Sequence, residues 1–418
     1  MDGVDSVTRL RNGSSALMRD LNRTAVLALI GQHGPIARVD IARELVLSPA
    51  TVTAITRELV GEGLVREVAQ APSSGGRPAI LLGLVAEAAD AIGIKIAPDR
   101  LTAVHVDLGG TPLDYRERPF DAALPGVVDR LAAAISELSA GWVRPGRRLL
   151  GIGLGLPGIV DSQRGVVEAP ILGWPMLRLA AELQDRLDIP ILIDNDVNTL
   201  AVSERLYGRG RSRDHVLTVT IGRGVGLGIV ASGVIQRGHR GGAGEFGHMT
   251  MVDDGPKCEC GKHGCLEALV ADPALVEQGV AAGLLAPGIA IADGAAALAA
   301  LADEADPAAL EIYARAGTVL GRAVAGLVSV FSPELVIISG EGTRAWPHLG
   351  GAFERSLRAQ VFPPLADVDV EVDPWDDRRW ARGAAALVLG ASFAVPLYER
   401  SVEDGVRRRL VASAEAIA

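Results

Sequence analysis

All three cysteines of the chain lie within eight residues, and this clustering restricts what the segment around them can fold into. They are Cys258, Cys260 and Cys265. So close a group cannot build a disulfide framework. Together with His248, ten residues before the first cysteine, it has the ligand set of a closed tetrahedral zinc site. Four protein ligands leave no position for water, so the segment predicts a structural Zn2+ ion in a reducing compartment. His263 is the alternative histidine ligand.

The composition is that of a folded protein with more than one domain. The chain has 418 residues, which suggests two or three compact units. Hydrophobic residues make up 49% and charged residues 22%, far from the profile of a disordered chain. We find neither an apolar run of membrane-spanning length nor a secretory signal, so we expect a cytoplasmic protein without a membrane partner.

Charge is distributed unevenly along the chain. The net charge is −10, but residues 1–84 carry nine arginines and eight acids, which gives +1 for this segment and −11 for the rest. An acidic surface repels a polyanion. Residues 1–84 are therefore the part of the chain suited to contact nucleic acid.

Three short helices are predicted inside that segment. The first covers residues 23–31 and the second residues 39–46, with apolar side chains on one stripe of each. Ser48 is a good N-cap and Pro49 suits the first helical position, so a third helix begins there. Its small and polar face is suited to the major groove of DNA. The predicted DNA contacts on that face are Pro49, Ala50, Thr51, Thr53 and Arg57.

A β-hairpin follows the third helix. Strands are predicted at residues 64–68 and 79–82, around a turn-rich loop whose tip carries Arg77. This arginine is predicted to reach a phosphate or a narrow minor groove. Residues 1–84 thus predict a winged helix-turn-helix DNA-binding domain. The alternative is a helical interaction module that binds no nucleic acid.

Strands and helices alternate from residue 91 onward, which indicates an α/β fold. The same succession of elements begins again near residue 216, so one lobe is repeated with a cleft between the copies. We predict the first lobe at residues 85–197, completed by a C-terminal helix at about 381–397, and the second lobe with the zinc loop at residues 198–380. The predicted strands are 91–96, 101–108, 112–119, 149–156, 189–193, 216–221, 226–231 and 335–339, and the helices are 127–138 and 312–329.

Carboxylates and amides lie around the zinc loop and after one buried strand. Glu245 and Glu267 flank the loop, and the segment Asp-Asn-Asp-Val-Asn at 194–198 follows the strand. Such groups hydrogen-bond hydroxyl groups in pairs, which suits a sugar. A zinc loop that fixes two of them would preorganise a polyol site. The alternative is that these acids are surface residues or helix caps.

Taken together, the motifs resemble the family of repressors, open reading frames and kinases, ROK, over nearly the whole chain. The resemblance implies an actin-like (ribonuclease H-like ATPase) sugar-kinase fold of two lobes, with the ligand in the cleft. It implies that His248 gives one ring nitrogen to the sugar and one to zinc. The implied sugar contacts are Asn195, Asp196, Glu245, His248 and Glu267. The matching segments are residues 73–78, 155–161, 194–198, 245–248, 258–267 and 332–340.

The same resemblance bears on catalysis. Asp196 lies where the family's kinases have their general base. The phosphate-binding hairpin of those kinases aligns with residues 95–99, where Lys95, Ala97 and Pro98 replace an acid and two glycines. Residues 107–111 spell the hairpin motif one hairpin later, and we interpret them as an ordinary turn. We therefore predict that ATP does not bind.

These observations favour a sugar-responsive transcriptional regulator, a repressor of carbohydrate metabolism genes. It would bind operator DNA through the winged helix as a homo-dimer or homo-tetramer, because paired heads match palindromic half-sites. Its effector would be a monosaccharide or sugar derivative. The alternative is an ATP-dependent sugar kinase that carries a DNA-binding head. The glycine-rich residues 221–228 favour this alternative only weakly. Ile171 stands where many relatives have a sugar-contacting asparagine, so the identity of the sugar stays open.

Overall fold

The computed structural model describes residues 15–70, 79–142, 147–374, 376–393 and 402–411. Contacts between residues divide the chain into two compact units. Unit 1 comprises Met1–Leu206 and Trp380–Ala418, and unit 2 comprises Tyr207–Arg379. Both are mixed α/β structures, as predicted.

Unit 1 begins with a winged helix. A three-stranded antiparallel sheet of order β1-β3-β2 packs with three helices whose apolar faces are buried. The predicted core residues Val52, Ile55 and Leu59 of α3 are all buried. The elements are α1 (Ser15–His33), β1 (Ile36–Ala37), α2 (Arg38–Glu44), α3 (Pro49–Gly61), β2 (Val65–Gln70) and β3 (Ile80–Leu84).

The second helix ends two residues earlier than predicted. Val46 has φ +54°, in the left-handed region that a β-branched residue adopts only at a cost. Its side chain is 90% exposed, so no packing energy favours continuing the helix. The helix α2 therefore ends at Glu44, and the turn before α3 begins there.

The main sheet of unit 1 has the order β11-β7-β4-β5-β6. Strands β4, β5 and β6 are antiparallel, whereas β7 and β11 run parallel to β4. A small sheet of order β10-β9-β8 lies between β7 and β11 in sequence. The elements are β4 (Ala89–Ile96), β5 (Arg100–Asp107), β6 (Pro112–Pro119), α4 (Val127–Ser139), β7 (Arg148–Leu156), β8 (Ile159–Asp161), β9 (Val166–Ala169), β10 (Trp174–Leu177), α5 (Leu179–Leu187), β11 (Ile191–Asn195) and α6 (Asp196–Tyr207).

Unit 2 repeats this arrangement. Its sheet has the order β16-β15-β12-β13-β14, with β12, β13 and β14 antiparallel and β15 and β16 parallel to β12. The predicted repetition of one lobe is thus confirmed. The elements are β12 (Val216–Ile221), β13 (Val225–Ala231), β14 (Val234–Ile235), α7 (Glu267–Val270), α8 (Asp272–Ala281), α9 (Ile291–Asp303), α10 (Pro307–Phe331), β15 (Leu335–Ser339), α11 (Trp346–Gln360) and β16 (Asp369–Val372).

Helix α10 is long and apolar enough to cross a membrane by length and composition alone. Its buried face, which includes Ile312, Leu320 and Val328, belongs to the hydrophobic core of unit 2. Glycines at 317 and 321 let α11 approach closely, since a Cβ at either would lie within 2.3 Å of a backbone oxygen of α11. We therefore interpret α10 as the central core helix of this unit.

Two helices close the chain, α12 (Asp377–Ser392) and α13 (Val402–Val411). Helix α12 packs directly on the sheet of unit 1, because a Cβ at Gly93 or Gly153 would lie within about 2 Å of its backbone oxygens. Helix α6 packs on the same helix, with Gly383 against the backbone of Thr199. The boundary between the units falls at 206/207, at the C-terminal end of α6, whereas the predicted lobe boundary at 197/198 lies near the start of that helix.

Candidate functional site

The predicted metal ligands come together in unit 2. One ligand atom from each of His248, Cys258, Cys260 and Cys265 lies within 4.8 Å of all the others. The Cys258 Sγ is 3.5 Å from the His248 Nδ1, and the sulfurs of Cys260 and Cys265 are 3.7 Å apart. In a tetrahedral zinc site these separations would be about 3.5 Å and about 3.8 Å. The cluster therefore has the spacing and donor set to hold a metal ion.

The cysteine loop builds this cluster from its own backbone. The Cys258 N–H donates to the Lys262 carbonyl and the Lys262 Nζ donates to the His248 carbonyl at 2.7 Å, so loop and histidine are tied together. Gly264 has φ +68°, and a Cβ there would lie 1.7 Å from the Val252 oxygen, so only glycine fits. The alternative ligand His263 is exposed and its Nδ1 faces the Gly255 carbonyl at 3.1 Å, outside the cluster.

The thiols of the cluster differ in the direction in which their pKa values are shifted. Burial raises the pKa of the Cys258 thiol to about 12, whereas the Lys262 backbone N–H lowers the pKa of Cys260. A metal ion is bound by thiolates and deprotonates coordinating thiols outright. A buried thiol beside an imidazole nitrogen and two further sulfurs is thus poorly explained as an ordinary apolar side chain.

Two of the predicted sugar-contacting acids lie beside the histidine of the cluster. The His248 Nε2 is 3.9 Å from the Glu245 Oε2, and its Nδ1 is 4.0 Å from the Glu267 Oε1. Desolvation by the surrounding loops raises the pKa of the Glu245 carboxyl. The structure therefore brings Glu245, His248 and Glu267 together as one polar group, which we call the unit 2 triad.

The sequence analysis missed the residues that connect this triad to the neighbouring turn. Residues 222–225 join β12 to β13, and the Val225 N–H donates to the Glu267 Oε2 at 3.0 Å. Arg223 pairs with Glu259, between two of the cysteines, at 3.0 Å. Both contacts span more than 35 residues, so local sequence patterns carry no signal for them.

The remaining predicted sugar contacts, Asn195 and Asp196, belong to unit 1 and lie where β11 passes into α6. The Asn195 Oδ1 accepts hydrogen bonds from the Val197 and Asn198 N–H groups, and its Nδ2 donates to the Gly158 carbonyl at 3.1 Å. It therefore caps α6. The Asp196 Oδ1 accepts from the Val197 N–H at 3.0 Å, and its side chain is partly exposed.

The turn that aligns with the kinase phosphate hairpin, between β4 and β5, is short and closed. The Ala97 N–H donates to the Arg100 carbonyl at 3.0 Å, and Pro98 has no N–H to offer. The Lys95 Nζ lies 4.4 Å over the Trp380 ring. Residues 107–111, which spell the motif, form the turn between β5 and β6, where the Asp107 Oδ1 accepts from the Thr111 N–H at 2.8 Å.

The predicted DNA contacts of α3 lie on its outer face. Of the five, Pro49, Ala50, Thr53 and Arg57 are exposed and Thr51 is partly exposed. The Ser48 Oγ accepts from the Thr51 N–H at 3.1 Å, which confirms the predicted N-cap. The sixth predicted contact, Arg77, lies outside the described residues.

Electrostatics separate Arg57 from the other charges of the winged helix. The acids at the C-terminal end of α3, Glu58 and the following Glu62, pair with Arg19 and Arg23 of α1. In the part of the chain that the structure describes, Arg57 has no ion pair or hydrogen bond of its own. The acids of α3 are thus neutralised from inside the domain, and a cation remains on its outer face.

Comparison with known proteins identifies the family. The ROK family pattern matches residues 91–391, and the MarR family pattern matches residues 20–69. The DNA-binding transcriptional dual regulator NagC of Escherichia coli K12 is 32% identical over 94% of this chain and 98% of its own. The xylose repressor of Bacillus subtilis is 26% identical over 84% of this chain and 90% of its own. The chain therefore belongs to the ROK family, with a MarR-like winged helix at its N-terminus.

Solved structures agree with this assignment. A ROK family transcriptional regulator, a homolog of the E. coli MLC protein, superposes with a TM-score of 0.79 at 29% identity over 94% of this chain and 99% of its own. A ROK family glucokinase from Streptomyces griseus, solved with glucose and AMPPNP, has a TM-score of 0.61 at 27% identity over 71% of this chain and 98% of its own. The sugar-kinase fold predicted from the sequence is thus confirmed.

Proposed function

We propose that this protein is a sugar-responsive transcriptional repressor. The observation that carries the proposal is the extent of the similarity to NagC, which covers the winged helix and the ROK part in one alignment over 94% of the chain. The kinase among its structural neighbours covers 71% of it. In this proposal the protein is a cytoplasmic homo-dimer or homo-tetramer that regulates carbohydrate metabolism genes.

The winged helix binds operator DNA in this proposal. The outer face of α3 enters the major groove with Pro49, Ala50, Thr51 and Thr53, whose small side chains allow close approach. Arg57 contacts a phosphate or a base edge, and Arg77 of the wing contacts the backbone or the minor groove. Residues 1–84 carry a charge of +1 in a chain of net charge −10, which supports the assignment of DNA binding to this segment.

Binding to DNA from upstream of the protein's own gene tests this part directly. Fluorescence anisotropy at low salt is expected to show specific binding by the wild type. Arg57→Ala is expected to weaken binding by about 1–3 kcal/mol if Arg57 reads a base, or to reduce the salt slope by about 1 if it contacts a phosphate. Arg66→Ala, an exposed arginine of β2, serves as the control. Absence of specific binding by the wild type would instead favour the interaction-module interpretation.

In this proposal the sugar binds to the unit 2 triad, and Asn195 and Asp196 of unit 1 remain predicted sugar contacts. Carboxylates accept hydrogen bonds from vicinal hydroxyl groups, and an imidazole nitrogen accepts or donates one according to its tautomer. Relatives are named as N-acetylglucosamine and xylose repressors, so these two sugars and glucose are the first to test. Thermal shift measurements would identify the ligand, since binding stabilises the folded state by RT ln(1 + [L]/Kd).

Zinc is the metal that we assign to His248, Cys258, Cys260 and Cys265. One imidazole and three thiolates at tetrahedral spacing are typical of structural zinc, and four protein ligands leave no open coordination position. The bound ion would fix the loop that carries Cys258, Glu259 and Cys260. The protein's own residues then hold the unit 2 triad in place, with Lys262 bonded to the His248 carbonyl.

A kinase activity is not part of the proposal. The turn at residues 97–99 offers neither the acid nor the glycines of a phosphate hairpin, and Lys95 occupies the position of the acid. Asp196, at the start of α6, and more weakly the glycine-rich residues 221–228 favour the alternative of a sugar kinase with a DNA-binding head. Incubation with ATP and each sugar distinguishes the two. Phosphorylation at an ordinary enzymatic rate of about 1–10³ per second would establish the alternative.

A further inference from the structure

The turn between β12 and β13, residues 222–225, has the composition of an anion-binding loop. Glycines at 222 and 224 expose backbone N–H groups, and loops of this kind cradle phosphate groups. A Cβ at Gly222 would lie 2.3 Å from the Glu341 Cδ, and one at Gly224 would lie 2.8 Å from the Glu267 Oε2. A carboxylate thus lies against each glycine, and a larger side chain at either position would have to displace it.

Two N–H groups of this turn donate to these carboxylates. The Arg223 N–H donates to the Glu341 Oε1 at 2.8 Å, and the Val225 N–H donates to the Glu267 Oε2 at 3.0 Å. Hydrogen bonds from backbone N–H groups to an ionised acceptor are about twice as strong as neutral ones. The turn thus holds two anionic groups that belong to the protein itself.

The course of the backbone places Glu341 next to the turn between β12 and β13. Strand β15 runs parallel to β12 with Ser339 paired to Thr220, and Gly340 follows with φ +97°. A Cβ at Gly340 would lie 2.3 Å from the Ile221 oxygen, so the chain passes directly over the end of β12 before it reaches Glu341. The fold therefore places Glu341 beside the turn, where its carboxylate accepts the Arg223 N–H.

The surroundings of Glu341 leave little positive charge for a second anion. Asp272 pairs with Arg344 at 2.6 Å, and its N–H donates to the Gly222 carbonyl. Burial raises the pKa of the Asp272 carboxyl, and the nearby charge of Glu341 raises it further. Arg223 is paired with Glu259. A phosphate entering the turn would have to displace one carboxylate and would face two others.

We propose that Glu341 acts as a built-in anion that closes the turn at residues 222–225 to phosphate groups and so determines which ligands this unit accepts. The Glu341 carboxylate, which occupies the turn, excludes nucleoside di- and triphosphates. This adds to the loss of the phosphate-binding hairpin at residues 95–99 of unit 1. The proposal goes beyond the proposed function, since it concerns ligand selection in unit 2 and holds whether or not the protein binds DNA.

Isothermal titration of the full-length protein with MgADP, and separately with pyrophosphate, tests the proposal. The variants are Glu341→Gly, which opens the turn, and Glu341→Gln, which keeps the shape and the acceptor but removes the charge. The matched control is Glu334→Gln. The Glu334 carboxylate also accepts two backbone N–H groups, from Asp214 and His215, but at the opposite end of β15. Circular dichroism confirms that each variant is folded.

We expect the wild type and Glu334→Gln to bind neither compound more tightly than a Kd of about 10 mM, and Glu341→Gly to bind at about 1 mM or below, at least tenfold tighter. Glu341→Gln should lie between them. Wild-type binding as tight as that of Glu341→Gly would overturn the proposal. Folded Glu341 variants that bind no better than the wild type would overturn it equally. Neither result depends on DNA binding, so failure here is distinguishable from failure of the proposed function.

Discussion

The two groups of predicted sugar-contacting residues differ in what holds them in place. Asn195 and Asp196 are fixed by ordinary secondary structure, because their side-chain oxygens accept the first N–H groups of α6. Of the unit 2 triad, Glu267 begins the short helix α7, and Glu245 and His248 lie in a loop, where neither a long helix nor a strand fixes the histidine. In the proposed function, a metal ion held by the cysteine cluster would supply that constraint. Regular secondary structure and a bound metal ion can thus each hold binding residues in place, and substitutions in the two groups should have separable effects.

The largest effect is expected from Cys265→Ser. This thiol is fully buried in the cluster, and its loss removes one of four ligands. Structural zinc contributes about 10–16 kcal/mol to the folding of small zinc-binding peptides, so we expect unit 2 to lose several kcal/mol of stability. Elemental analysis should show less than one zinc per chain, and the thermal transition should fall to that of chelator-treated wild type. A variant with full zinc content would contradict the assignment of ligands.

A smaller effect, confined to unit 1, is expected from Asn195→Ala. Removal of an N-cap side chain costs about 0.5–2 kcal/mol. Hydrogen exchange of α6 measures it, and Asn195→Asp, which keeps an acceptor for the helix N–H groups, is the matched control. The loss should be the same with and without chelator. Dependence on metal would mean that the two groups are not held independently.

The smallest effect is expected from Glu259→Gln. Its ion pair with Arg223 joins the cysteine loop to the β12–β13 turn, but both side chains are about half exposed. Pairs of this kind contribute about 0–1 kcal/mol. We expect unchanged zinc content and a thermal transition close to that of the wild type. A loss as large as that of Cys265→Ser would show that this pair, and not the metal, organises the loop.

Much of the fold could be predicted from the sequence. Strands β12 and β15 were predicted at both ends, because runs of Val, Ile and Leu end there in turn residues. The end of α2 was missed because nothing in the local pattern shows that Val46 adopts a left-handed conformation. The alanine-rich residues 280–302 favour helix, and glycines at 283 and 288 with positive φ separate α8 from α9 there.

Some features of the candidate site were likewise visible in the sequence, and others needed the structure. The metal ligands are close in sequence, so their clustering was visible, and the exposed position of His263 removed the alternative. Helix capping was considered from the sequence for the neighbouring acids, and only the bonds to α6 show that Asn195 caps this helix. Glu341 lies 118 residues from its partner Arg223, and such a contact depends on the pairing of β12 with β15.

Release of operator DNA by a sugar tests the central claim most directly. The protein–DNA complex is titrated with N-acetylglucosamine, xylose, glucose and their derivatives, and DNA affinity is followed by fluorescence anisotropy. We predict that one of these sugars weakens DNA binding by the wild type about tenfold or more. Glu267→Gln should need about 10–100 times more sugar, since hydrogen bonds to charged groups contribute about 1.5–3 kcal/mol. DNA affinity that no sugar alters, or equal sensitivity in Glu267→Gln, would contradict the account.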